Sequence, residues 1–494
     1  MIQGINPVTG ERLEGVPLTT AAELEQVFER AQAAVRPYAN LHKDLRAAFL
    51  RQIAAELENV REEITSAAHL ETALPMARLN GELTRTTGQL KLFADVVQEG
   101  SWVDARIDPA LPERTPPRPD IRSMLVPLGV VGVFGASNFP LAFSVAGGDT
   151  ASALAAGCPV IVKGHNAHPR TGYLAGEAIQ KAVQSCGLPE GVFSLVFGAD
   201  NQIGETLVQH PAVKAVGFTG SRAGGLALTR LAQQRKEPIP VYAEMSSINP
   251  MVVFPGAMHE RPEALARGLH ASFTLGAGQF CTNPGLVCVP AGSEVFLQEL
   301  KTLTETTGAF HLLTSGIEQH YASGITQLKT STGVDLLAQG SGACPAHVFR
   351  VEAKDWNDAL QQEVFGPSTV LCLYQSLSEV ESILQHLEGQ LTASAHIADS
   401  DRRAFADLLP VLQDRAGRVI VNGYPTGVEV CHAMVHGGPY PSTTDPRSTS
   451  VGTRAIVRFT RLSCYQDFPD DLLPEALQES NPLNIRRLRE GKLE

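Results

Sequence analysis

Three short segments of this 494-residue chain hold groups that could act together on a carbonyl. Cys281 sits in GAGQFCTNPG, where small residues let backbone approach a ligand and leave the sulfur unshielded, so an ionised thiol there would be a nucleophile. Glu244 closes the run VYAE and enters MSSINP; a carboxylate at a strand end facing a crevice is a candidate general base. Asn138 lies in FGASNFP, directly after the run VVGVF, where a side-chain amide can donate to an oxyanion. Each also has an ordinary explanation: a small buried hydrophobe, a solvated loop acid and a turn asparagine.

A second group of residues suits a phosphate-bearing ligand. Lys163 ends PVIVK, where it can reach a ribose or phosphate, although a snorkelling surface lysine is the commoner case. Gly220 and Ser221, in GFTGSRAGG, open a helix after a strand, and the free N–H groups of a helix start suit a pyrophosphate. The G-x-G-x-x-G fingerprint is missing after the first strand, so an ordinary Rossmann reading is not supported. Glu363 and Phe365, in EVFGPS, lie in a loop that nothing physical distinguishes from a plain turn.

The elements that must position these residues follow from periodicity. Thr20 and Glu23 stand at capping-box spacing ahead of Leu24, Val27, Phe28 and Ala31, and Leu45, Phe49, Ile53 and Leu57 recur every fourth residue, so the first hundred residues read as helical. Five prolines between Asp108 and Asp120 exclude a helix or inner strand and predict an extended arm. From Val130, short β-branched runs alternate with helical segments, the pattern of parallel βαβ units, and after Glu244 the alternation resumes with MVVF, LVCV, TVLCLY and RVIVN. Two α/β domains meeting near Glu244 are therefore expected, with Thr453 to Phe459 (TRAIVRF) as a late strand that could pair with a neighbouring subunit.

Composition narrows the function classes. Lys and Arg number 40 against 52 Asp and Glu, a net charge of −12 without a basic block, which argues against a nucleic-acid partner. No stretch approaches the roughly 20 apolar residues of a membrane span, and the amino terminus lacks a charged n-region followed by an apolar stretch, which points to a cytoplasmic protein without a membrane partner. The eight cysteines are scattered without a CxxC pair, making zinc and a disulfide framework poor readings.

In combination and in chain order, GASNFP, PVIVKG, FTGS, AEMSSINP, GQFCTNPG and EVFGP resemble the motifs of the aldehyde dehydrogenase superfamily, over a span from the first helices to about Phe468. The resemblance implies an α/β fold with two Rossmann-like parallel-sheet domains and an extended oligomerisation arm. Residues 1–104 and 121–243 would form the nucleotide-binding domain, 244–445 the catalytic domain, and 105–120 with 446–494 the arm and tail. It implies Cys281 as nucleophile, Glu244 as base, and Asn138 with the Cys281 N–H as oxyanion hole. Lys163, Asn166, Gly220, Ser221, Glu363 and Phe365 would hold NADP or NAD, no metal is implied, and the protein would be a homodimer or a dimer of dimers.

Two departures stand out. Ser246 and Ser247 replace the two glycines usual after the base, which would narrow the local passage. Asn166 stands where many NAD-preferring members carry a glutamate; a neutral amide does not repel a 2′-phosphate, and His165, His168 and Arg170 are close in sequence, so NADP should be accepted. VKGHNAHPRTG, HGGPYPSTTDPRSTSVGTRAIVRF and CYQDFP further resemble the subgroup of 2,5-dioxopentanoate dehydrogenases and a bacterial fatty aldehyde dehydrogenase, with Arg447 the cation considered for a substrate carboxylate. The rivals are a thiol hydrolase or acyltransferase and a catalytically silent fold. Against the first, no histidine sits in a comparable glycine-rich loop beside a strand end except those in GHNAHP.

Overall fold

The computed structural model describes residues 1–494. A hairpin of β1 (Ile2–Ile5) and β2 (Arg12–Val16) precedes four helices: α1 (Ala21–Ala39), α2 (Lys43–Asn59), α3 (Arg61–Thr72) and α4 (Met76–Glu99). The capping box forms as expected: Glu23 N–H donates to Thr20 Oγ1 at 3.2 Å and Thr20 N–H to Glu23 Oε2 at 2.7 Å. On α2 the apolar stripe starts a turn later than periodicity suggests, because Phe49, Ile53 and Leu57 are buried while Leu45 is 59% exposed. These helices share one apolar core with α5 (Gly148–Ala156) and α6 (Pro169–Ser185).

Three larger sheets follow. β3 (Arg106–Asp108) and β4 (Ile121–Pro127) flank the proline-rich segment, which is closed by a Leu111–Arg118 bridge. A parallel sheet then forms from β5 (Val130–Phe134), β6 (Val160–Lys163), β7 (Phe193–Val196), β8 (Val213–Thr219) and β9 (Val241–Glu244), in the order β7-β6-β5-β8-β9. The helices α7 (Gln202–Gln209) and α8 (Arg222–Gln233) alternate with its later strands.

A seven-stranded sheet comprises β10 (Met251–Val253), β11 (Leu286–Pro290), β12 (Val334–Gln339), β13 (His347–Glu352), β14 (Ser368–Tyr374), β15 (Gln390–His396) and β16 (Ala416–Val421). Its pairs are parallel except β12 with β13.

The late strand is displaced from its expected place. Thr453–Phe459 forms 3-10 turns, and the strand β17 is Thr460–Gln466, antiparallel to β4 across its whole length. Alternation does not distinguish the two: Ala455, Ile456, Arg458 and Phe459 are all buried, and the Arg458 guanidinium reaches inward to Asp149 at 2.6 Å. With β3, β18 (Leu488–Arg489) and β19 (Lys492–Leu493), these strands make a sheet in the order β17-β4-β3-β18-β19, which takes in residues up to Pro127. No helix is long and apolar enough to cross a membrane.

Candidate active site

Most of the candidate residues from the first parallel sheet sit at the carboxyl ends of its strands, on either side of the point where strand order reverses about β5 and β8. Asn138 follows β5, Lys163 ends β6, Gly220 and Ser221 follow β8, and Glu244 ends β9. The seven-stranded sheet faces them with its amino ends: Cys281 precedes β11, and Glu363 with Phe365 precedes β14. Gly278 in the cysteine loop has φ +68, and a Cβ there would collide with the Gly366 carbonyl, so the two loops pack backbone to backbone.

Cys281, Glu244 and His436 converge, their sulfur, carboxylate and ring nitrogen atoms lying within 4.8 Å of one another. His436 Nε2 is 2.7 Å from Glu244 Oε1 and 3.4 Å from Cys281 Sγ. A carboxylate only accepts, so Nε2 carries the proton in this contact. The second carboxylate oxygen accepts from Ser450 Oγ at 2.6 Å. Burial raises the Glu244 carboxyl, but His436, Ser450 and Cys281 outweigh it, and its pKa falls below the ordinary value. Burial, then the Glu244 and Glu363 carboxylates, push the Cys281 thiol well above its ordinary range, with Arg418 opposing. A carboxylate–imidazole contact of 2.7 Å is a hydrogen bond; two ligands on one tetrahedral zinc would lie about 3.3 Å apart.

His436, in the glycine-containing loop HGGPYP, corrects the reading that only the histidines of GHNAHP sit in such a loop beside a strand end. It lies far from any strand pattern and is brought in because residues 442–444 pair with β9: Met245 N–H donates to Ser442 O at 2.8 Å and Thr444 N–H to Ala243 O at 3.1 Å. The cysteine loop is held by Asn249, whose Nδ2 donates to Cys281 O and Asn283 O, both at 2.9 Å. Ser247 is buried and donates to Gln390 Oε1 at 2.9 Å, which also accepts the N–H of Ile248 and Asn249.

Asn138 is buried, and one of its two amide protons goes to Gln279 O at 2.9 Å, leaving the other for a ligand. Arg78 on α4 donates to Asn138 O at 2.7 Å and lies 4.9 and 5.0 Å over Phe139 and Phe280; Glu82, one turn on, accepts the N–H groups of Leu141 and Ala142 at 2.9 Å. Sequence inspection passes over this charged helix face.

On the nucleotide side, Lys163 Nζ donates to Asn166 Oδ1 at 2.6 Å, and burial lowers its pKa to about 8. Ser221 caps α8, accepting from Gly224 N–H at 3.2 Å, and its hydroxyl proton remains available. His165 and His168 do not add positive charge: burial brings their pKa values to about 3 and 4. Arg170 pairs with Glu63 and Glu14, so Lys163 is the one cation of this group without a carboxylate partner. Glu363 and Phe365 line a small pocket with Ser247 and Asn283, and burial raises Glu363 to about 7. Arg447 lies outside the site: its side chain is 90% exposed and pairs with Asp445 at 3.3 Å, where the adjacent carboxylate satisfies it.

The aldehyde dehydrogenase family model matches residues 1–462. The chain belongs to this family. It is therefore an NAD(P)-dependent aldehyde dehydrogenase, and neither rival class survives. This dehydrogenase is 52% identical to "Alpha-ketoglutaric semialdehyde dehydrogenase 2" of Azospirillum brasilense, over 100% of this chain and 96% of the relative. It is 46% identical to an alpha-ketoglutaric semialdehyde dehydrogenase of Acinetobacter baylyi, over 96% and 93%. Among solved structures, glyceraldehyde-3-phosphate dehydrogenase from Methanocaldococcus jannaschii, complexed with NADP, superposes with a TM-score of 0.80 at 20% identity, over 94% of this chain and 98% of the other. That likeness shows the fold.

Proposed function

We propose that the enzyme oxidises 2,5-dioxopentanoate to 2-oxoglutarate through a thioester on Cys281. The convergence of Cys281, Glu244 and His436 carries the chemical part of this reading, and the two semialdehyde dehydrogenase relatives support the substrate. Cys281 is the nucleophile, and its proton has the Glu244 carboxylate beside it as acceptor. The free N–H of Asn138 and the Cys281 backbone N–H then hold the thiohemiacetal oxyanion.

The donor set between β6 and α8 fits a dinucleotide: an ammonium at a strand end, a hydroxyl and the unpaired first-turn amides of a twelve-residue helix. Lys163, Asn166, Gly220 and Ser221 would hold its adenosine and phosphates, and Glu363 with Phe365 its nicotinamide end. When bound, the nicotinamide supplies the hydride acceptor. Once the first proton has passed from Glu244 to solvent, the carboxylate takes a proton from the water that opens the thioester, and the Cys281 thiolate leaves. With an amide and not a carboxylate at position 166, both NADP and NAD fit. The residues bounding the first parallel sheet form the nucleotide-binding domain and those from 244 the catalytic domain. The open edge of β17, where Leu462 is 70% exposed, supports assembly as a homodimer or a dimer of dimers, and the need for a reduced Cys281 supports a cytoplasmic setting.

The substrate test compares kcat/KM for 2,5-dioxopentanoate, succinate semialdehyde and a long-chain aldehyde, following absorbance at 340 nm. The semialdehyde of five carbons should lead, and preference for the long aldehyde would replace the substrate while keeping the mechanism.

Two further outcomes follow from the site. His436 acts as a positioning residue for Glu244. His436→Gln should lower kcat by about 10–100-fold and move the acid limb of the kcat profile to higher pH. The sign follows from Glu244 working while ionised: the imidazole lowers its pKa, so losing it lets protonation begin at higher pH. A purely structural role would reduce kcat without moving the limb. For Lys163, the ammonium is lost as pH rises through about 8, so NADP affinity measured by NADPH fluorescence should weaken between pH 7 and 9. In Lys163→Met that pH dependence should vanish; its persistence would assign it elsewhere.

A further inference from the structure

Helix α4 carries three charged side chains on one face, Arg78, Glu82 and Arg85, at spacings of four and three. Arg78 and Glu82 hold the Asn138–Ala142 loop as described above, each with one buried atom, Arg78 Nη1 and Glu82 Oε2, left without a partner. Arg85 makes no hydrogen bond to that loop. Its guanidinium lies 4.9 Å over the Phe143 ring, which faces the His436 ring at 6.3 Å, and so stands one aromatic layer from the imidazole beside Cys281. Its protein partner is Val428 O, reached by Nε and Nη2 at the long distance of 3.4 Å, while Nη1 is buried and has none.

From the opposite wall, Arg418 on β16 holds the same loop. Its Nη2 donates to Pro425 O at 2.8 Å and to Gly427 O at 3.1 Å, and its Nε is likewise buried without a partner. Two guanidinium groups thus grip residues 425–428 from two sides, each with a desolvated N–H left over. Leaving such donors unmade is costly unless a ligand accepts them, and a carboxylate is the acceptor that matches a guanidinium in shape and charge. Both charges also bear on the nucleophile: Arg418 opposes the burial that raises the Cys281 thiol, and Arg85, after the nearer carboxylates of Glu82 and Glu429, is within the field of Cys281 and Glu244.

We propose that Arg85 and Arg418 form the subsite for the distal carboxylate of the substrate, placing its aldehyde carbon at Cys281. The inference rests on the assignment of 2,5-dioxopentanoate above. Four C–C bonds of about 1.5 Å each keep that aldehyde carbon about 5 Å from the carboxylate carbon, so the cations must stand beside the catalytic trio, and a surface arginine such as Arg447 is too far out. The Phe143 ring covers Arg85 on one side, and such desolvation strengthens the guanidinium's field.

The test uses the full-length enzyme with NADP and compares 2,5-dioxopentanoate with pentanal, the uncharged aldehyde of equal length. In Arg85→Met and in Arg418→Met, the ratio of kcat/KM for the semialdehyde to that for pentanal should fall roughly 10–100-fold, through KM. A ratio that stays put in both variants overturns the subsite. Should the wild type fail to prefer the semialdehyde over pentanal, the substrate assignment itself has failed, which the variants' data cannot imitate. Glutarate gives a readout independent of semialdehyde turnover: it should inhibit pentanal oxidation competitively, and about tenfold more weakly in either variant. Equal inhibition of wild type and variants contradicts the proposal.

Discussion

Replacing Cys281 with alanine should abolish aldehyde oxidation, by a factor of about 10⁴ or more, while NADP binding stays within about twofold of wild type. The size of the loss follows from the thiol being the group that forms the covalent bond: nothing else near the trio can replace a sulfur nucleophile. The retention of nucleotide binding follows from architecture. The loop bearing Cys281 is fixed through main-chain carbonyls by Asn249, and the groups proposed for the adenosine and phosphates lie at the end of β6 and the start of α8 in the other sheet, so deleting one sulfur atom disturbs neither. Fluorescence titration with NADPH alongside steady-state assays checks both halves. Joint loss of binding and activity would give Cys281 a structural role.

Glu244→Gln should separate the two halves of the reaction. Glutamine is close to glutamate in shape and can still meet Ser450 and His436, but it cannot take a proton from water. Removal of a general base costs about 10²–10⁴-fold. Because Glu244 also accepts the Cys281 proton, release of the first NADPH per site should be slowed, but deacylation should be slowed further, so the acyl enzyme accumulates and is seen by intact-protein mass spectrometry. Unimpaired steady turnover would place the base elsewhere. The buried setting matters here. Glu244 is 3% exposed; burial raises its pKa, and His436, Ser450 and Cys281 bring it below the ordinary value, which favours the ionised form in a place where a water can be activated.

The comparison between sequence and structure follows the physics of each signal. Motifs on parallel strand ends were legible because β-branched runs mark the strands and the fold puts their carboxyl ends together; Asn138, Lys163, Ser221 and Glu244 all lie where that logic leads. His436 was not, because its position depends on residues 442–444 pairing with β9 some two hundred positions away, and no local periodicity encodes that. The charged face of α4 was missed for a different reason. Arg78, Glu82 and Arg85 have the spacing of an ordinary solvated helix surface, and only the aromatic rings of Phe139, Phe143 and Phe280 packed over them reveal that the face is covered. TRAIVRF was misassigned because alternation of polar and apolar residues is shared by a half-buried strand and by a buried turn whose arginine pairs with an internal aspartate. Ser247 is held in a polar network with Gln390 and Asn249 while it also borders the small pocket of Glu363 and Phe365, a placement that its local sequence does not encode.

The account's central claim is that an aldehyde is oxidised to its acid with release of that acid. The most direct measurement follows NADPH at 340 nm while 2-oxoglutarate is assayed in the same sample of purified enzyme, 2,5-dioxopentanoate and NADP. The account predicts equimolar appearance of the two with repeated turnover. Absence of both, or aldehyde consumed without reduced nucleotide, would contradict it.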